Sequence, residues 1–267
     1  MPFTPAHAVV ALPFLRTPMV PAAIAVGAMT PDLPLFLPWG PLTYQVVHTN
    51  IVIASVVAGL LLALWYVLVR PGVRELSPDA LAARMPDDWD RIPLHRDRSR
   101  PRMQVTWLAL SLLFGVVSHI VWDAFTHEGR WGVRAVPALD TYWGPLLGYK
   151  WLQHGTSAIA LAILLVAGLL WFRRAARSEV RRVFPAAVRW CWWLSLPVAL
   201  VAAWGIGMLV HGPLTPGFGP EQLAYRVLPP ACGVWGVVTL VLCGVVQMRR
   251  ARLDIAPERP AGPRSDR

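Results

Sequence analysis

IVIASVVAGLLLALWYVLV, residues 51–69, runs for 19 positions without an Asp, Glu, Lys, Arg or His. As a helix it would reach about 28 Å, close to the ~30 Å hydrocarbon thickness of a bilayer. Four more such runs follow: Met103–Phe125, Gly155–Phe172, Trp190–Val210 and Val227–Met248. Only the second carries ionisable side chains, His119 and Asp123, both near its end. The whole chain of 267 residues agrees, with 55% hydrophobic and 15% charged residues, where a soluble domain has about 25% charged. That is too little charge to coat a soluble protein of this size. A soluble enzyme is disfavoured, a disordered or fibrous chain is excluded, and the expected fold is an all-α polytopic membrane bundle.

Before the first span lies a weaker element. Pro5–Leu15 and Met19–Met29 are apolar but interrupted by Arg16, Thr17 and Pro18. Each half would be roughly 16 Å long as a helix, enough for half a membrane. A re-entrant or interfacial helical hairpin is expected; one kinked sixth span is the alternative. The absence of a basic side chain in the first six residues speaks against a cleavable signal peptide.

Arginine placement predicts the orientation. Eight arginines fall in Arg70–Arg102, six in Arg173–Arg189 and six from Arg249 onward. The other connections hold only Arg130, Arg134 and Lys150, then Arg226. Rich and poor segments alternate with the spans, which puts the rich ones and the C-terminus in the cytoplasm. Trp107, Trp151, Trp171 and Trp190 fall near span ends, as interfacial tryptophans do. Residues 1–250 read as one membrane-embedded domain, 71–102 as a solvated cytoplasmic loop and 251–267 as a disordered tail. The formal charge of +10 is distributed by this topology rather than gathered into a nucleic-acid surface. Cys191, Cys232 and Cys243 lie in apolar stretches with no CxxC spacing and suggest neither a disulfide framework nor a thiolate metal site.

The remaining polar residues gather on the outward side. His48 precedes the first span, His119 and Asp123 end the second, His154 opens the third, His211 ends the fourth, and Asp32 follows the second half-helix. In SHIVWDAFTHEGRW, residues 118–131, His119, Asp123 and His127 are spaced i, i+4, i+8, along one helix face. Imidazole and carboxylate ligate zinc, iron or manganese, and His48 and His154 come from helix ends at the same depth. A structural hydrogen-bonded cluster is the competing interpretation of these residues. His211 reads as an interfacial residue, His95 as a cytoplasmic surface residue, and Glu128 and Asp140 as solvated loop charges. Pro31 and Pro34 around Asp32 predict an extended turn that holds one carboxylate rigidly.

MPFTPAHAVVALP, GAMTPDLPLF, VVHTN, SHIVWDAFTHEGRW and QHGTS, in that order, resemble a bacterial membrane-protein family, domain of unknown function family 4184, over about residues 1–250. More distantly, the order is similar to metal-dependent hydrolases of the LexA-regulated inner-membrane kind, and more weakly to the all-helical zinc phospholipase C and P1-type nuclease group. What this resemblance implies is a divalent metal, zinc foremost, on His7, Asp32, His48, His119, Asp123 and His154; His127 matches the closer family alone.

The leading expectation is a metal-dependent hydrolase acting on a phosphoester of a lipid or envelope intermediate. Asp32 or Asp123 would accept a proton, and His127 and Arg130 would contact the phosphate, Arg130 through its bidentate geometry. Membrane lipids are the expected surroundings and no nucleic acid is expected. The alternatives are a metal or proton conduit using the same residues and a purely structural membrane protein. A conduit needs polar residues through the bilayer, whereas here they cluster on one side.

Overall fold

A computed structural model describes residues 3–90, 101–180, 182–215 and 217–255. Five helices are long and apolar enough to cross a membrane: Ile51–Leu76, Met103–Thr126, Gly148–Arg174, Ala186–His211 and Pro220–Leu253. They are called the first to fifth spans below. Their outer faces carry apolar side chains turned away from the protein, such as Leu60, Val201 and Leu209, as lipid contact requires. The third span starts at Gly148, not Gly155, because Lys150, Gln153 and His154 continue the helix above the apolar run. The fifth continues to Ile255 through Pro229 and Pro230.

The N-terminal segment is a hairpin, not a sixth span. A 3-10 helix, Thr4–Phe14, is followed by an α-helix, Pro21–Met29. The far ends of the two arms meet, since the Thr4 hydroxyl donates to Asp32 Oδ2 at 2.6 Å. At the turn, the Val20 N–H donates to Ser111 Oγ at 2.9 Å; at the open end, the Ala28 carbonyl lies 2.7 Å from His119 Nδ1. Ser111 and His119 are eight residues apart on the second span, about 12 Å, so the hairpin lies along only part of that span.

Small residues seat it there. Gly27 on the hairpin faces Gly115 on the second span, and the two backbones touch. A Cβ at Gly27 would fall 2.5 Å from the Leu112 carbonyl oxygen, and one at Gly115 would run into the Ile24 carbonyl. Close approach through small-xxx-small surfaces is how helices gain dispersion contact in lipid, where the hydrophobic effect between them is absent. Ala23, Val47, Ala54, Ala58, Leu62, Leu112 and Val116 complete this core. Gly115→Leu is expected to destabilise the protein by about 1–3 kcal/mol or more. A thermal unfolding scan in detergent checks this; a wild-type midpoint would refute the seam.

At the opposite end the first arginine-rich connection departs from the solvated loop predicted for it. Its described part folds back on the bundle and buries Leu76, Ala82 and Met85. Arg74 is buried and bonds Asp87 Oδ1 at 2.7 Å, Arg70 pairs with Asp88, and Arg182 bonds Asp79 Oδ1 at 2.8 Å. Glu75, fully buried, accepts from the Val183 and Phe184 N–H groups at 3.1 and 2.9 Å and from Arg250 at 3.3 Å. Carboxylates distant in sequence thus gather the arginines into packed structure. Residues 91–100, with His95, and the tail from 256 onward lie outside the described residues. The connection between the second and third spans carries a two-stranded antiparallel ribbon, pairing Tyr142 with Leu147 and Trp143 with Leu146.

Candidate metal centre

Four elements deliver the histidines and aspartates to one place. His119 and Asp123 project from the second span one turn apart. His48 comes from the short helix Tyr44–Thr49, capped by Thr43 Oγ1 accepting from the Val46 N–H at 3.3 Å. Asn50, in extended conformation, ends that helix and starts the next by accepting from the Ile53 N–H at 2.9 Å. VVHTN therefore encodes a break that sets His48 off the axis of the first span. Asp32 closes a 3-10 turn, Thr30–Asp32, which runs into Leu33–Phe36. The extended turn predicted around it is instead helical, because Pro31 and Pro34 both fall in first turns, where a missing N–H is harmless. His7 enters from the 3-10 arm and His127 from just past the second span.

Asp32, His48, His119 and Asp123 are all buried, and one ligand atom from each lies within 4.8 Å of the others. His119 Nε2 is 3.3 Å from Asp123 Oδ2 and 3.7 Å from Asp32 Oδ1; His48 Nε2 is 3.6 Å from Asp123 Oδ2. His7 Nε2 is 3.7 Å from Asp123 Oδ1, and His127 Nδ1 is 3.6 Å from Asp123 Oδ2. Most of these separations are long for hydrogen bonds. Those from Nε2 match another geometry: two atoms each about 2.1 Å from a shared ion stand about 3.4 Å apart across a tetrahedral edge.

The histidines are oriented for this. Nδ1 of His119, His48 and His127 faces the carbonyls of Ala28, Tyr44 and Asp123 at 2.7, 2.9 and 3.0 Å. A carbonyl can only accept, so Nδ1 carries the proton and the Nε2 lone pair is left free, which is how a metal-ligating imidazole is set. Six buried atoms of the cluster have no hydrogen-bond partner: Nε2 of His7, His48, His119 and His127, and Oδ1 of Asp32 and Asp123. Leaving each unsatisfied costs about 1–3 kcal/mol. The sum is comparable to the whole stability of a typical domain, about 5–15 kcal/mol.

Electrostatics decides what fills the gap. Burial holds the His7 imidazole down at about 3, with His119 adding to the effect, and burial holds His127 down at about 4. Both rings are therefore neutral near pH 7. Burial pushes the Asp32 carboxyl up, the mark of a carboxylate short of positive charge. Among the described residues, the ion-pair partners of Asp32 and Asp123 are all histidines. A divalent cation would supply positive charge and take up the free lone pairs together, so the residues fit a metal.

Two supporting side chains escaped the sequence reading. Thr4 orients Asp32, as described above. Tyr44 donates to Asp123 Oδ2 at 3.3 Å and stacks on His48 with ring centroids 3.7 Å apart. Burial, aided by Asp123, pushes its phenol up, so it remains a donor. The available signal was the i, i+4 spacing of Tyr44 and His48. Loss of a supporting contact of this kind weakens metal affinity about 10–100-fold, the expected result for Tyr44→Phe in a competitive zinc titration. Unchanged affinity would show the phenol to be a bystander.

His154 is not brought into the cluster. It is exposed, while its neighbour Gln153 is the buried residue on that turn. His154 instead lines a cavity of about 1060 Å³ that opens beside the cluster and shares Thr4, Tyr44 and His127 with it. Arg130 stands on the same wall, over the Tyr44 ring at 5.6 Å. Gly129, at φ +69°, makes the turn that carries the chain from His127 to Arg130. Lys150 and Arg226 add two further cations to the lining.

Comparison with curated proteins and with solved structures finds no match to this chain. The family described as "Domain of unknown function (DUF4184)" matches residues 1–245, and the chain belongs to that family.

Proposed function

We propose that the protein is a membrane-bound metal-dependent hydrolase of phosphoesters. The observation that carries this is the six partnerless buried atoms of the His/Asp cluster, set beside a cavity whose lining includes Arg130, Lys150 and Arg226. Asp32, His48, His119 and Asp123 hold the ion, zinc by its preference for imidazole and carboxylate in a tetrahedral set. His7 flanks them, its Nε2 3.7 Å from Asp123 Oδ1. Bound there, such an ion polarises a phosphoryl oxygen and lowers the pKa of water. The protein's own groups do the rest. Arg130 holds the phosphate in a bidentate grip. His127 Nε2, a free buried acceptor on the cavity wall, takes the proton from the attacking water and returns it to the departing alkoxide oxygen as the ester P–O bond breaks. The Asp123 backbone carbonyl fixes His127, and the Ala28 carbonyl fixes His119.

The test is hydrolysis of bis(p-nitrophenyl) phosphate and p-nitrophenyl phosphate by zinc-loaded protein, wild type against His48→Ala. Turnover that disappears in the variant supports the reading. Metal binding without turnover of any phosphoester, together with zinc flux in proteoliposomes, would replace it with a conduit.

In this proposal the arginine-rich end is cytoplasmic, and the cluster opens on the extracytoplasmic side of the inner membrane. The arginine asymmetry supports it, as does the separation of the arginine network and the cluster to opposite ends of the first span. Tyr142 and Arg177 are exposed at the two ends. In a background with the three cysteines replaced, an impermeant thiol reagent is expected to label Tyr142→Cys in intact cells and Arg177→Cys only after lysis. The reverse pattern would invert the topology.

A further inference from the structure

We infer that the substrate is amphipathic: an anionic phosphoester head held at the cations, with a hydrocarbon chain occupying the other end of the same cavity. This deepens the hydrolase reading and rests on it for the identity of the head group. The cavity, about 1060 Å³, is at the upper end of small-molecule sites, roughly 300–1,000 Å³, and far larger than a phosphate needs. Its two ends differ in chemistry. One is lined by His127 with Arg130, Lys150 and Arg226, alongside Glu128 and Glu221, the other by Leu35, Phe36, Leu228, Pro229 and Cys232.

The apolar end is set by the fold. Leu35 and Phe36 belong to the short helix that follows Asp32, so they are tied to the cluster by three or four residues of chain. Leu228, Pro229 and Cys232 belong to the fifth span, at the point where two successive prolines, Pro229 and Pro230, interrupt its ladder of backbone hydrogen bonds. Below that point the walls close. A Cβ at Gly233 would collide with the Phe36 carbonyl oxygen, so the two elements are in backbone contact there. The result is an apolar recess beside charged lining. A free phosphate or a soluble phosphorylated metabolite would leave the recess empty; a chain of several methylenes fills it. Placement within a membrane-spanning bundle matches a substrate drawn from the lipid.

The test compares methyl phosphate with hexyl phosphate, both water-soluble, binding to zinc-loaded protein in nanodiscs, by calorimetry with empty nanodiscs subtracted. Each buried methylene is worth roughly fourfold in affinity, so hexyl phosphate is expected to bind at least tenfold tighter. Cys232→Trp, which fills the recess, is expected to abolish that gap while leaving methyl phosphate binding and zinc content unchanged. Leu228→Ser, a smaller change, is expected to narrow it and serves if the tryptophan variant does not fold. Equal affinities in the wild type, or a gap untouched by both variants, would overturn the inference. Chain-dependent binding without hydrolysis of any phosphoester would leave the amphipathic ligand standing and remove only the hydrolase.

Discussion

Asp123→Asn is expected to abolish zinc binding and to lower phosphoester turnover by a factor of 10³ or more, yet to leave the metal-free protein as stable as the wild type or more stable. The two outcomes have opposite signs for one reason. Asp123 approaches four histidines, His7, His48, His119 and His127, within 3.7 Å, so it is the hub of the ligand set. Without metal it is also a buried carboxylate with no Arg or Lys among its described ion-pair partners, and holding such a charge out of water costs several kcal/mol. Asparagine preserves the shape and the hydrogen bond from Tyr44. Metal content by mass spectrometry and unfolding midpoints, each with and without zinc, check the pair. A structural cluster predicts the contrary: no metal in either protein, and a variant weaker than wild type under all conditions.

Chelation of the wild type is expected to produce the second large effect. If zinc binds only the folded protein, removing it from a thousandfold excess over Kd forfeits about 4 kcal/mol of stability. The loss should be local first. The hairpin is held to the second span at the cluster and along the glycine seam, so chelation should raise hydrogen exchange in Thr4–Met29 while sparing the fourth and fifth spans. Exchange measured by mass spectrometry in detergent, with zinc restored as the control, reads this. Uniform or absent change would separate the hairpin's stability from the ion.

Which parts of this were legible in the chain follows from how local each signal is. The five spans are stretches of uniform chemistry and announce themselves. His119 and Asp123 announce themselves too, because i, i+4 on a helix is a contact by construction. His154 misled because depth was legible but helical phase was not. One residue is 100° of rotation, and it is Gln153 that turns inward. His7 was indicated by family resemblance alone, since a 3-10 arm with apolar residues all round has no face to announce. Tyr44 and Thr4 were missed because uncharged donors stand out only once their carboxylates are placed. The arginine-rich connection was read as solvated because its pairing is remote: Glu75 accepts from Val183, Phe184 and Arg250, more than 100 positions away.

The glycine seam has a bearing on how the protein is made. Ala28 and His119, which it brings together, are 91 residues apart in the chain. At about 5–20 residues per second of synthesis, His7 and Asp32 emerge from the ribosome about 5–20 s before the helix that will hold them. During that interval the hairpin has no glycine surface to lie on, and its unsatisfied polar ends belong at the membrane interface rather than within the core. Insertion of the second span is therefore the committing event of biogenesis. Any metal would load after it, and a chain arrested before Met103 would present only His7, Asp32 and His48 to whatever cations or insertion factors it meets.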